Sequence, residues 1–351
     1  MSNDKIKIKI SDIGKTITGK TPSSKNPEEF GNEYMFVTPS DSFEDKYIET
    51  TERYLSKIGK NKLKNKLLPP RSILVTCIGS QMGKVALNKS ECFTNQQINS
   101  ILPNGKFDTD YIYYALKLNY EVFRNIASSS TALPILNKND FDNIELFIHE
   151  DINYQKKIAN ILSVIDEKIS LNKKINTELE NLAKTIYNYW FVQFDFPYDF
   201  EKNEPCSHSP EDKKQNKCHC KPYKTSGGEM VWNEALKREI PKGWEAVSLK
   251  DKLEFERGVE PGSDKYFDKP NKNTIPFYKV GGMDGNTDVW IEKEAANGAI
   301  CKEDDILLSL DGSVGRIAIG LNGAYSSGIR KVYQKEGYFP NSYIYFLLHS
   351  D

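Results

Sequence analysis

The sequence predicts an α+β protein made of two duplicated domains of mixed short strands and helices, separated by a long coiled-coil helix. Two observations carry that expectation. One is an internal repeat that flanks the middle of the chain; the other is a heptad pattern running from Ile158 to Trp190.

The repeat is laid out in three blocks. Ile8–Asp12 with Gly19 and Pro22 matches Val247–Asp251 with Gly258 and Pro261, all at an offset of 239. Residues 73–87 then match 306–319, and Phe107–Leu116 matches Phe339–Leu348. Three blocks in one order define a duplicated domain. In each copy the middle block reads as strand, glycine turn with a basic residue, strand, because β-branched runs flank a short glycine-containing connection. The third block reads as an aromatic-rich helix with apolar residues at helical spacing. A polar loop, Ser128–Phe141, and a strand, Ile144–Ile148, follow in the first copy. The second copy reaches Asp351 without their equivalents and is expected to be incomplete.

With position a at Ile158, the heptad places Ile158, Ile165, Asn172, Leu179 and Ile186 at a, and Ile161, Lys168, Ile175, Leu182 and Tyr189 at d. Eight of these ten positions are apolar or aromatic, a pattern that argues for a coiled-coil strand with a partner helix. At 1.5 Å per residue the rod is roughly 50 Å long. Asn172 at a fixes register if it meets a polar mate. The expected organisation is a first domain over 1–150, the spacer helix over 151–194, a linker over 195–242 and an incomplete second domain over 243–351.

Composition narrows the classes. A chain of 351 residues with 38% hydrophobic and 28% charged residues fits a soluble globular protein of two or three domains. No apolar run approaches the length of a membrane span, and the start, Met1–Ile6, lacks an apolar signal region, so a cytoplasmic protein without a membrane partner is expected. With 48 basic against 49 acidic residues, any nucleic-acid reading has to rest on local patches. The densest holds Lys57, Lys60, Lys62, Lys64 and Lys66, flanked by Arg53 and Arg71. Such a run is either a solvated face or a set of phosphate contacts.

Sites of chemistry are scarce. The linker holds Cys206, His208, Cys218, His219 and Cys220, enough donors for a tetrahedral zinc site, yet the spacing matches no common finger. A zinc site on Cys206, His208, Cys218 and Cys220 is therefore the weaker alternative to an exposed low-complexity insertion. Cys77, Cys92 and Cys301 read as reduced core thiols. Gly79–Lys84 invites a phosphate-loop reading but has one residue too few between its glycines, no Ser or Thr after Lys84 and a strand following it. His149 and His349 stand alone, so no acid and base pair can be defended and no enzyme is expected. The polar loops Asn95–Gln97, Ser128–Thr131 and Asn137–Asn139 suit base edges and phosphates better.

Residues 155–176, running into Leu182–Asp195, closely resemble the central conserved region of type I restriction-modification specificity subunits. Lys221–Met230 and Ile240–Trp244 are similar to that family's linker, and Leu136–Phe141 to the end of one of its recognition domains. The resemblance implies a non-catalytic reader of double-stranded DNA, in which two target recognition domains each contact half of a split site. It further implies docking of modification subunits, which use S-adenosylmethionine, and of restriction subunits, which use ATP and Mg; no cofactor is expected on this chain itself. A truncated subunit that only scaffolds its partners, or a metal- or nucleotide-dependent enzyme, are the rival readings. The DNA-facing candidates are Lys84, Gln96, Gln97, Ser129, Thr131 and Lys138 in the first domain, with Arg316 and Arg330 in the second. Ile158, Ile165, Asn172, Ile175, Leu179, Leu182 and Ile186 are the candidate docking and spacer residues.

Overall fold

The computed structural model describes residues 5–79, 82–128, 135–206, 219–335, 337 and 339–349. The chain divides into two compact units, Met1–Thr177 and Glu178–Asp351. A single helix, Ile152–Tyr187, contributes residues 152–177 to the first and 178–187 to the second.

In the first unit the main sheet has the order Gly14–Thr18, Ile98–Pro103, Ile73–Thr76, Val85–Asn88, Tyr47–Ile48. Its pairs are antiparallel except the last. The strand Ile73–Thr76 is buried on both faces, which its unbroken apolar and β-branched run allows. A second sheet, Phe30–Gly31, Tyr54–Leu55, Tyr34–Val37, Cys92–Thr94, ends in a parallel pair. The helix Thr109–Leu118 starts where the Asp108 carboxylate accepts from the Tyr111 N–H at 2.9 Å. It buries Tyr111, Ile112, Tyr113 and Leu116 into the larger core beside Ile73, Val75 and Leu87.

The second unit repeats this plan. Its main sheet runs Leu253–Arg257, Ile329–Gln334, Ile306–Ser309, Ile317–Ala318, the same order as the first four strands of the other unit. Its smaller sheet again contains a parallel pair, Thr274–Tyr278 with Gly323–Tyr325. The expected strand, glycine turn, strand block is a hairpin in both units, and the expected aromatic helices are Thr109–Leu118 and Asn341–His349. The duplication read from sequence is thus a duplicated topology.

The segment expected as a linker carries structure of its own. Pro197–Asp199 pairs with Glu204–Pro205 and Lys221–Pro222, and Met230–Asn233 forms a hairpin with Arg238–Pro241. Phe196 stacks on Tyr223 at 4.8 Å and on Trp244 at 5.3 Å, an aromatic core for strands too short to show periodicity in sequence. Cys206 and Cys220, on the two outer strands' ends, are joined by a disulfide with 6.2 Å between their Cα atoms.

The long helix begins where the Asp151 carboxylate accepts from the Asn153 N–H at 2.8 Å. Gln155, fully buried, ties this end down: its Nε2 donates to the His149 carbonyl at 2.7 Å and its Oε1 accepts from the Asp108 N–H at 2.9 Å. The far end passes into a π-turn, Asn188–Val192, rather than continuing as α-helix to Trp190. Only one stripe of the helix packs on the first unit. Gln155 and Ala159 are buried, and 158, 162, 163, 166 and 170 are half-buried. Ile158, the first a position, belongs to this packed stripe, but the heptad positions that follow lie on another face, and Ile161, Ile165, Ile175, Leu179, Leu182 and Ile186 are all exposed, Ile161 by 65%.

Candidate nucleic-acid interface

The hairpin of each unit is anchored by the same bonds. In the first unit the Lys84 N–H donates to Thr76 Oγ1 at 3.0 Å and the Gly83 N–H to the Thr76 carbonyl at 2.9 Å. In the second unit the Arg316 N–H donates to Ser309 Oγ at 3.0 Å and the Gly315 N–H to the Ser309 carbonyl at 3.0 Å. Gly83 and Gly315 hold φ of 90° and 85°, the left-handed region in which a side chain is strained. Lys84 and Arg316 are therefore equivalent residues on equivalent turns, although the second turn is one residue shorter.

Around each hairpin the same neighbours gather. The Cys77 N–H donates to the Gln97 carbonyl at 2.8 Å, as the Leu310 N–H does to the Gly328 carbonyl at 2.9 Å. Thr21 Oγ1 donates to Gln96 Oε1 at 2.7 Å, and Gln97 Oε1 accepts from Asn95 Nδ2 at 3.0 Å. The Leu136 N–H donates to the Cys77 carbonyl at 2.9 Å, bringing the stretch before Lys138 to the same edge. Lys84, Gln96 and Gln97 thus share one end of the first unit's sheet. Ser129 and Thr131 lie outside the described residues.

The candidates differ in how free they are. Lys84 has no side-chain hydrogen bond or ion pair among the described residues. Lys138 opens a short helix, Lys138–Asp142, and is paired with Asp142 at 2.7 Å. Arg316 Nη1 donates to the Val280 carbonyl at 3.2 Å. Arg330 sits inside the strand Ile329–Gln334, not in a loop, and its Nη1 donates to the carbonyls of Ser327 and Ile329 at 2.6 and 3.0 Å. Half of each guanidinium is thus committed to the protein's own backbone.

The lysine-rich run is also partly committed. Lys60 pairs with Glu91 at 3.1 Å and lies 4.2 Å from the Tyr34 ring centroid, and the Glu91 hydrogen bond raises its pKa. Lys62 pairs with Glu29, whose carboxyl its hydrogen bond holds below the ordinary range, and Lys66 donates to the Thr18 carbonyl at 2.9 Å. The solvated-face reading fits these three lysines.

Of the proposed zinc donors, Cys206 and Cys220 are bonded to each other, while His208 and Cys218 lie outside the described residues. Among the described residues no group of three or more His, Cys, Asp or Glu could hold a metal ion. Burial pushes the thiols of Cys77 and Cys92 up to about 12 and that of Cys301 up to about 11, so all three stay protonated as the core thiols expected from sequence. No helix among the described residues is long and apolar enough to cross a membrane.

The sequence reading missed a polar cluster around the buried Lys46. Lys46 Nζ donates to Ser163 Oγ at 2.7 Å and pairs with Asp110 at 2.8 Å, and Arg71 binds the other oxygen of Asp110 at 2.8 Å. Burial by itself would raise the Asp110 carboxyl, but hydrogen bonds and charges from Lys46 and Arg71 outweigh it and hold the pKa below the usual aspartate range. Nothing in the local sequence singles out Lys46 among so many lysines. Gln155 had a signal, since it heads the conserved-region resemblance.

These two units and their hairpins define a duplicated recognition fold of the kind found in restriction-modification specificity domains. The chain belongs to the family described as type I restriction modification DNA specificity domain, whose model matches residues 3–181 and 241–351. It is 32% identical, over 78% of its length, to the type I restriction enzyme MjaIX specificity subunit of Methanocaldococcus jannaschii, of which it covers 56%. It is 34% identical, over 49% of its length, to the type I restriction enzyme HindI specificity subunit of Haemophilus influenzae, covering 38% of that protein. The chain thus spans about half the length of these relatives. Among solved structures, the type I restriction-modification S subunit from M. genitalium matches with a TM-score of 0.52 at 16% identity, over 99% of this chain and 78% of that one; this is a likeness of fold.

Proposed function

We propose that this chain is a DNA specificity subunit of a type I restriction-modification complex, itself non-catalytic, whose two units each read one half of a bipartite duplex site. One observation carries the reading: Lys84 and Arg316 are presented by equivalent hairpins, through the same backbone and hydroxyl bonds, in two copies of one fold. Cationic turns of this kind suit phosphates, and the neighbouring Gln96 and Gln97 supply amides that can pair bidentately with adenine. The exposed heptad stripe supports a further assignment. Ile161, Ile165, Asn172, Ile175, Leu179, Leu182 and Ile186 would pair with a second apolar helix and seat the modification subunits, with restriction subunits joining the same assembly. S-adenosylmethionine, ATP and Mg belong to those partners.

Methylome sequencing of cells carrying the intact locus, with and without this gene, tests the reading. Methylated adenines in a two-part motif that vanish with the gene are the expected result. Unchanged methylation on deletion sinks the proposal.

A further inference from the structure

Apolar packing against the first unit holds only the first two turns of the long helix. Gln155 and Ala159 are buried and Ile158 packs against the larger core, but between Ala159 and Tyr187 no residue of the helix is buried. Beside residues 166–174 the helix is separated from the segment Ser42–Thr50 by an open groove of about 620 Å³, lined by Glu44, Asp45, Ile48, Ile169 and Lys173. Contacts there cannot set the helix direction by shape. They set it by bond geometry.

Five polar contacts join residues 163–174 of the helix to the first unit. Lys173 meets Asp45 at 3.0 Å and Lys174 meets Glu49 at 3.9 Å, but these four side chains are about half exposed or more, and such surface pairs contribute little. The other three contacts are sheltered, and one of them is the bond from the Tyr114 hydroxyl to Ser163 Oγ at 3.4 Å. Lys46 reaches Ser163 on the helix with a side chain only 8% exposed, and Tyr114 donates to Asp166 at 2.7 Å. The Lys46 ammonium is held from three sides, by Ser163 Oγ, by Asp110 and by the ring of Tyr114, whose centroid lies 5.1 Å away. A buried ion pair is often no more stabilising than apolar side chains of the same volume, and what it adds is a preferred geometry.

We propose that Lys46 is the positioning residue that fixes the direction in which the long helix leaves the first unit, with Tyr114 as its second point of support. The lever is long. From Ala159 to Tyr187 the helix runs about 42 Å, so a tilt of about 10° moves its far end by about 7 Å, or two base-pair rises. The consequence for DNA rests on the reading given above: loss of the lock blurs the separation at which two half-sites are accepted while leaving each half-site's sequence as it was.

Two measurements on the full chain test this, with Lys46→Met and Tyr114→Phe as variants, Lys46→Arg as the conservative variant and Lys173→Ala as a surface control. First, cysteine-independent spin labels at positions 25 and 177 report the distance from the first unit to the helix. A narrow distribution in the wild type and in Lys173→Ala, broadened in Lys46→Met and Tyr114→Phe and partly restored in Lys46→Arg, is expected; an unchanged width in Lys46→Met overturns the lock. Second, duplexes are selected from a pool with randomised half-sites and spacer by the chain in its complex. Lys46→Met is expected to keep the half-site sequences and to lose about tenfold in preference for the best spacer over one a base pair longer or shorter. Loss of sequence and spacer preference together would mean local unfolding and counts against the proposal. If the wild type selects no sequence while the labels still broaden, the DNA reading fails and the lock stands.

Discussion

Gly19 and Gly258 make one contact twice. Each donates its N–H to a strand carbonyl at 3.2 Å, Gly19 to Ile98 and Gly258 to Ile329. A Cβ on Gly19 would lie 2.2 Å from the Thr94 carbonyl oxygen, and one on Gly258 would lie 2.2 Å from that of Ser326. Both glycines therefore stand where a strand leaves the main sheet and crosses the backbone of the parallel pair, with no room for a methyl group.

Alanine at either position forces backbone atoms apart, and backbone cannot swing away as a side chain can. Gly19→Ala and Gly258→Ala are each expected to cost about 3 kcal/mol. Hydrogen exchange followed region by region should show the loss confined to the unit that carries the substitution; a loss spread over both units would contradict two separate cores.

The hairpin residues are expected to separate affinity from preference. Lys84→Ala should weaken binding to all duplexes and lower the salt slope by about one. Gln96→Ala should instead change which base is preferred, because its amide faces the same end of the sheet without carrying charge. Binding titrations at several salt concentrations, with matched and scrambled duplexes, measure both, and identical behaviour of the two variants would sink the assignment.

Acid should loosen the first unit through Asp110. Its carboxyl is held below the ordinary aspartate value in the folded chain, so the stabilisation is fully present above about pH 4 and is lost as pH falls through the folded value. Asp110→Asn removes this pH dependence along with the ion pairs to Lys46 and Arg71. Denaturant unfolding between neutral and strongly acidic pH should show the wild type converging on the variant.

Charging the exposed stripe of the long helix should leave the fold alone. Ile175 and Leu179 are 46% and 58% exposed, and Ile175→Asp with Leu179→Asp is expected to leave the melting temperature within a few degrees while abolishing capture of the modification subunits. Retained capture by the double variant, measured by co-purification at equal expression, would remove the stripe from the docking surface.

Much of this was legible in the sequence because it rests on spacing. The two hairpins, the aromatic helices and the long helix are all set by local periodicity or by glycine positions, and the hairpins and aromatic helices stand where the repeat places them. The strands of residues 197–241 were not legible, since runs of two to four residues leave no period and the stacking of Phe196, Tyr223 and Trp244 joins positions far apart in the chain. Lys46 was hidden for a different reason: a lysine that is only 8% exposed looks in sequence like any surface lysine. Arg330, a DNA-facing candidate by its chemistry, lies inside the strand Ile329–Gln334.

The hydroxyl that receives the basic residue's N–H, from Thr76 in one unit and Ser309 in the other, closes each hairpin below its tip. Above that clasp the two copies differ by one residue in length and at the residues flanking a shared Gly-Ser pair, Gly79-Ser80 in one and Gly312-Ser313 in the other. The tip is thus a cartridge on a fixed mount, and new target preferences can be sought by exchanging it. In the first unit the turn is also tied to the core, because Met82, just before Gly83, is fully buried there, so a graft of the second unit's turn, Asp311–Val314, has to keep an apolar side chain at that place.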